Sequence, residues 1–204
     1  MDAHVHLYLC SSAALKPAIA APLITPERRA RLSGPHAAER AAAGLLLRAA
    51  SLALLGHAPA HEAGAPGGRP FLPDHPEFFF SLSHSGGFAL CAAGFLPVGA
   101  DIQAVRPVSD ALLTRFFPED ERALIHSARD AIRLFSARES FGKRAGRGLS
   151  RDDAVTERGG QLFVSGCPIA EPDAPDGFVL TVCAPGAAIA APELLRVPDD
   201  FMLE

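Results

Sequence analysis

Alternation of apolar and polar residues predicts the strands of this chain. Residues 5–9 alternate with His4, His6 and Tyr8, which predicts a first strand with one buried face. The phenylalanine-rich run 77–83 and the apolar run 88–93 predict two more, joined by the turn Gly86-Gly87. Pro97 leads into a strand over 98–103, and three strands joined by short turns predict an antiparallel meander. Strand-like runs recur near 154–157, 162–165 and 178–183. The helical period predicts helices over about 36–55, closed by Gly56, and over 132–145. In the second, Leu134, Ala137, Phe141 and Ala145 form the stripe expected to face the core. Thr25 with Pro26 at the first position predicts a short helix over 25–32, and Pro118 with its acidic first turn predicts another over 118–128, after the segment 110–117. Residues 56–70, rich in Gly, Pro and Ala, read as an exposed loop.

The runs 88–94 and 178–184 are loosely alike, so each half holds a helix followed by strands. This predicts an α+β fold of two similar halves, 1–98 and 99–204. Each would pack an antiparallel sheet on a helix, in a pseudo-twofold pair with a ligand cleft between them.

Composition narrows the setting. A chain of 204 residues can bury its own core. The formal net charge of -4 argues against a general nucleic-acid binder. Cys10, Cys91, Cys167 and Cys183 form no CxxC pair and read as buried thiols, which suits a reducing compartment. The start lacks a basic leader region, and Arg48 interrupts the most apolar stretch, so a cytoplasmic protein without a membrane span is expected.

Candidate chemistry gathers between 98 and 149. On a strand, Asp101 and Gln103 share a face, and on a helix Glu139 and Lys143 are one turn apart. Oxygen donors of this kind suit Mg²⁺, which binds through one or two carboxylates together with substrate phosphates. Alone, Glu139 and Lys143 would be a solvated pair of little weight. Ile132 and Phe135 border the same face, however, and apolar neighbours predict a cleft. Arg28 and Arg31 share a helical face and are either a solvated patch or a phosphate grip. His84 and Ser85 at a strand end are either turn residues or ligand contacts. His4 and His6 lack a nearby third ligand and read as wet-face residues. Gly146-Arg147-Gly148 ends the second helix and permits close backbone approach to a ligand. Phe116 and Phe117 read as core, and apolar side chains over 110–117 could anchor a docking partner.

Five segments then fall into a recognisable order. Gly68-Arg69-Pro70-Phe71-Leu72-Pro73, Phe80-Ser81-Leu82-Ser83-His84-Ser85-Gly86, Val98-Gly99-Ala100-Asp101-Ile102-Gln103, Arg115-Phe116-Phe117-Pro118-Glu119-Asp120-Glu121 and Ala137-Arg138-Glu139-Ser140-Phe141-Gly142-Lys143 resemble the successive motifs of the 4'-phosphopantetheinyl transferases. The similarity is to the long, monomeric, surfactin-synthetase-activating type. It implies Mg²⁺-dependent transfer of phosphopantetheine from coenzyme A to a serine of an acyl or peptidyl carrier protein, as in a holo-acyl-carrier-protein synthase, leaving adenosine 3',5'-bisphosphate. By position it implies Asp101, Gln103 and Glu139 as metal ligands, and Glu139 and Lys143 as catalytic groups. It further implies Arg28, Arg31, Arg69, Ser83, His84, Asp101 and Lys143 as coenzyme A contacts, with the N-terminal half holding coenzyme A and the C-terminal half the metal. Gln103 stands where the family usually has glutamate, Phe135 where tryptophan is usual and Arg138 where lysine is common. The alternative from another class is a non-catalytic coenzyme A or carrier-protein binding module, in which Gln103 marks lost metal chemistry.

Overall fold

The computed structural model describes residues 4–65 and 68–196. Strand β1 (His4–Ser11) leads through two single-turn helices, α1 (Pro17–Ala20) and α2 (Pro26–Arg29), to the long helix α3 (Ala37–Leu55). A two-residue ribbon of β2 (Ala63–Gly64) and β3 (Pro70–Phe71) precedes the hairpin of β4 (Phe79–Ser85) and β5 (Phe88–Gly94), and then β6 (Gly99–Ala104). Helices α4 (Asp110–Phe116), α5 (Glu119–Arg122) and α6 (Ala128–Arg144) follow. The antiparallel sheet of β7 (Val155–Arg158), β8 (Gln161–Val164) and β9 (Cys167–Ile169) comes next, and β10 (Phe178–Cys183) pairs antiparallel with β6. The short strands β11 (Ala188–Ile189) and β12 (Glu193–Leu194) run parallel to β1.

This is a mixed α+β architecture built mainly from antiparallel pairs. The hairpin turn at Gly86 and Gly87 has positive φ at both positions (55° and 86°), the backbone a two-residue turn needs to match strand twist. One face of the β1–β5–β4 sheet packs on α3 through Tyr8, Cys10, Phe80, Ala89, Cys91 and Ala93. The other face, with Val5, Leu7, Leu9, Leu90 and Ala92, packs on Ala100, Ile102, Leu180 and Val182 of β6 and β10. Strand β1 is therefore buried on both faces rather than one, because it lies between two layers.

The expected meander stops at two strands. Both edges of β5 are taken, one by β4 and the other by β1, so β6 cannot extend the ladder and pairs with β10 instead. β6 runs beside β4 through serine side chains. Ser81 Oγ accepts from Ala100 N at 2.9 Å, and Ser85 Oγ accepts from Ala104 N at 3.0 Å.

Helix α6 begins at Ala128, earlier than the apolar period indicates. Ser127 accepts from Asp130 N at 3.2 Å, and Asp130 Oδ2 accepts from His126 N and Ser127 Oγ, a reciprocal cap that starts a new helix. The helix expected over 118–128 is accordingly confined to α5. Of the predicted core stripe, Leu134 and Ala137 are fully buried, Phe141 is half-buried and Ala145 is exposed, since the helix has ended. Ile132, Ser136, Arg138 and Ser140 are buried as well, because α6 is covered by β6 and β10 on one side and the β7–β9 sheet on the other. Phe117 is core and Phe116 half-buried. All four cysteines are free; three are buried, and half-buried Cys167 has its sulfur 3.6 Å from that of Cys183. Among the described residues no helix is long and apolar enough to cross a membrane.

Candidate active site

Strand β6 presents Gly99, Asp101 and Gln103 to α6. The close approach depends on Gly99, where a Cβ would overlap the carbonyl oxygen of Ser140 and the backbone nitrogen of Arg144. Glu139 and Lys143 face back from the helix. Lys143 Nζ lies 2.8 Å from Asp101 Oδ1 and 3.4 Å from Glu139 Oε1, and it donates to the carbonyl of Ala100 at 3.2 Å. Ser83 Oγ donates to Asp101 Oδ1 at 2.6 Å. Gln103 Nε2 donates to Glu139 Oε2 at 3.4 Å, while its Oε1 accepts from Ser85 Oγ at 3.5 Å. Asp101 and Glu139 thus converge on Lys143, and Gln103 joins them through Glu139.

Asp101 is 0 % exposed, and its Oδ2 has no hydrogen-bond partner among the described residues. Leaving such a buried acceptor unpaired costs about 1–3 kcal/mol, more for a charged group, so the atom is suited to a cation. Burial raises the pKa of Glu139, and the charge of Asp101 pushes it the same way against Lys143. Burial alone would lower the pKa of Lys143, but Asp101 and Glu139 outweigh it and hold the amine above its ordinary value. Two carboxylates face one ammonium. That surplus of negative charge, with an orphaned oxygen inside it, fits a hard divalent ion such as Mg²⁺ held by Asp101 and Glu139. Gln103 turns its amide nitrogen toward Glu139, so its oxygen joins such a shell only after a half-turn of the carboxamide.

Beside this cluster lies a cleft of about 370 Å³ lined by the cations Arg28, Arg31, Arg40, Arg69, Lys143 and Arg147, with His84, Gly146 and Gly148. The Gly-Arg-Gly segment therefore does form part of a ligand-sized wall. Arg28 is not a solvated charge: its Nη2 lies 2.5 Å from Glu62 Oε2, and its side chain is 16 % exposed. Glu62 also accepts from Thr25 Oγ1 at 2.7 Å, so Thr25 anchors a loop rather than capping α2. That buried glutamate makes the described part of 56–70 a partly packed segment rather than a wholly exposed loop. The Arg69 guanidinium stacks 5.1 Å from the Phe79 ring centroid. Ser83 and Asp101 do not line the cleft; both are buried and reach its wall through Lys143.

His84 Nδ1 lies 2.9 Å from Glu39 Oε2. Burial lowers the pKa of His84, with Glu39 opposing. The sequence reading missed Glu39, Arg40 and Glu62. The only local sign was an i,i+3 pair of His36 and Glu39 at the start of α3, which without a partner strand reads as an ordinary capping contact. Among the described residues the group with metal-ligand proximity is His36, Glu39 and His84, so His4 and His6 belong to none.

Comparison with known proteins adds a separate line of similarity. Residues 97–163 match the family model of the 4'-phosphopantetheinyl transferase superfamily. The chain is 34% identical over 133 residues to the 4'-phosphopantetheinyl transferase Sfp of Bacillus subtilis (strain 168), covering 57% of this chain and 59% of that protein. It is 32% identical over 133 residues to a second 4'-phosphopantetheinyl transferase of Bacillus subtilis, with the same shares. With the 4'-phosphopantetheinyl transferase HetI of Nostoc sp. it shares 32% identity over 100 residues, 43% of this chain and 42% of that protein. The chain thus spans less than two thirds of the length of these relatives. Asp101, Gln103, Glu139 and Lys143 all lie within the stretch that matches the 4'-phosphopantetheinyl transferase superfamily model, and the chain is similar to the Sfp-type transferases.

Proposed function

We propose that this chain transfers the 4'-phosphopantetheine group of coenzyme A to a serine of an acyl or peptidyl carrier protein and releases adenosine 3',5'-bisphosphate, with Mg²⁺ as cofactor. One observation carries the reading: Asp101 and Glu139 meet at Lys143, with a carboxylate oxygen unpartnered among the described residues, beside a cleft walled by arginines. Arg28, Arg31, Arg69 and His84 orient the phosphates of coenzyme A. Asp101 and Glu139, with Gln103 once its carboxamide has turned, would hold Mg²⁺, which would supply charge neutralisation on the diphosphate and its leaving half. Glu139, whose pKa is raised by burial, accepts the proton of the carrier serine hydroxyl. The serine oxygen bonds to the phosphorus bearing the pantetheine arm. The bond from that phosphorus to the bridging oxygen breaks, and its electron pair leaves with the nucleotide. Lys143 stays cationic and holds the charge that develops on the phosphoryl oxygens.

The halves 1–98 and 99–204 are read as a pseudo-twofold pair around this cleft. A long helix on antiparallel strands in each, α3 with β4 and β5 and α6 with β6 and β10, supports that reading. A monomeric cytoplasmic enzyme is expected, and four free thiols suit a reducing compartment. The rival reading, a module that binds coenzyme A or carrier without turnover, has one observation in its favour: Gln103 aims a neutral amide N–H at Glu139 where a third carboxylate would strengthen metal binding. Mass spectrometry of an apo carrier protein incubated with the chain, coenzyme A and Mg²⁺ separates the two. A gain of the phosphopantetheine mass is expected; coenzyme A binding with an unmodified carrier would establish the module instead.

A further inference from the structure

Where β4 ends against the first turn of α3, His36, Glu39 and His84 form a cluster that the transfer chemistry does not use as a unit. Nδ1 of His36 and Nδ1 of His84 each lie 2.9 Å from the same oxygen, Glu39 Oε2. One ligand atom from each of the three residues lies within 4.8 Å of the other two, and the two imidazole centroids are 5.7 Å apart. Glu39 is 8 % exposed, and its other oxygen accepts the backbone N–H of Gly87 at 2.7 Å, which fixes the carboxylate. Arg40, the neighbouring cation, donates to the carbonyls of Arg31 and Ser33, while its charge still acts on His84.

We propose that His36, Glu39 and His84 form a second metal site, specific for a borderline transition ion of the Zn²⁺ class. Two imidazole nitrogens and one carboxylate oxygen are a zinc donor set, whereas Mg²⁺ takes oxygen ligands. Tetrahedral bonds of about 2.0–2.1 Å place ligand atoms roughly 3.3 Å apart, so the two nitrogen–oxygen spans need to open by about 0.4 Å and the two imidazoles must turn to bring their nitrogens to the same spacing. The His36 side chain is 58 % exposed, free to make that adjustment and to admit the ion. Gly87 N–H supplies the outer hydrogen bond that ligating carboxylates use to keep their orientation. Binding replaces each Nδ1–H with the metal, the proton moving to Nε2 of a neutral ring or leaving an imidazolium for solvent, so the hydrogen-bonded cluster and the loaded site are two states of the same three side chains. Because His84 also lines the cleft, bound Zn²⁺ withdraws it from a phosphorylated ligand; this consequence alone rests on the coenzyme A reading.

Titration calorimetry with ZnCl₂, without coenzyme A or carrier, tests the site on the full chain and on His36→Ala. The intact chain should bind one equivalent, and His36→Ala should weaken it at least ~10-fold while MgCl₂ gives no heat at this cluster. Co²⁺ should give the intense visible bands of a four-coordinate ion in the intact chain and lose them in the variant. Absence of Zn²⁺ binding, or equal affinity in His36→Ala as the exposed His57–His75 pair would give, overturns the proposal. Coenzyme A binding measured with and without Zn²⁺ is a separate arm. Zn²⁺ bound at His36 with coenzyme A unaffected would leave the metal site standing and remove His84 from the coenzyme A contacts.

Discussion

At the scale of single residues the decisive atom is Asp101 Oδ2, buried and without a partner among the described residues while its twin oxygen takes both Ser83 and Lys143. A carboxylate kept in that condition needs a cation to complete it. Asp101→Asn preserves size and removes the charge, and is expected to lower Mg²⁺-dependent carrier modification by ~10²–10³-fold, as loss of one electrostatic stabiliser typically does. Gln103→Glu works in the opposite direction, adding the third carboxylate and lowering the Mg²⁺ concentration for half-maximal rate. Initial rates against Mg²⁺ for the three proteins check both, and superimposable curves for the native chain and Gln103→Glu would remove Gln103 from the metal shell. Arg138 shows where reading a sequence stops. As a cation next to Glu139 it passes for a surface substitute for lysine. In the fold it is 1 % exposed, paired with Glu121 and donating to the carbonyls of Asp153 at 2.9 Å and Phe116 at 2.8 Å. Partners lying 15 to 22 residues away leave no local signature.

At the scale of elements, the site exists because β6 and α6 touch. Gly99→Ala places a methyl group against backbone atoms of Ser140 and Arg144, neither of which can rotate aside. The variant should lose about 1–3 kcal/mol by overpacking, read from urea unfolding. It should lose activity further than that stability loss explains, because α6 carries Glu139 and Lys143 away from Asp101. The start of α6 is testable through pH. Burial works against ionised Asp130, but hydrogen bonds from Ser127 and His126 outweigh it and hold its pKa below the ordinary 3.8. A depressed carboxylate stabilises the fold above its unfolded pKa and loses that contribution as pH falls through the folded value. Asp130→Asn should therefore be less stable than the native chain at neutral pH, and the gap should close in acid, as thermal unfolding at a series of pH values will report. Most of these elements were legible, since strands β4, β5, β6 and β10 and helices α3 and α6 each carry a clear period and turn. Their pairing was not. The choice of β10 as partner for β6 depends on β1, some ninety residues earlier in sequence, occupying the free edge of β5.

At the scale of the whole molecule, the net charge of -4 conceals its distribution, because six cations line one cleft. They are not equivalent. Arg28 is clamped by Glu62 and Arg147 by Asp153 at 2.5 Å, so part of each charge is already compensated within the fold. Arg31 is exposed and has the Glu27 carboxylate nearby, and Arg69 rests on Phe79; neither has a carboxylate partner among the ion pairs described. Uncompensated charges hold phosphate most strongly and respond most to salt, since exposed interactions are screened beyond a Debye length of roughly 10 Å at 0.1 M. For a ligand carrying a diphosphate and a 3'-phosphate, Arg31→Ala and Arg69→Ala should each weaken binding about tenfold at low ionic strength, equivalent to about 1.4 kcal/mol. The Arg31→Ala effect should shrink as salt is raised, whereas Arg69, half-buried against its ring, should keep more of its effect. Calorimetric titration of coenzyme A and 3'-dephospho-coenzyme A into the native chain and both variants at two salt concentrations separates the contacts. A variant that loses the same factor for both ligands contacts the diphosphate, and one that loses affinity only for coenzyme A contacts the 3'-phosphate. If neither variant changes either affinity, the arginine wall does not hold coenzyme A and the cleft needs another ligand.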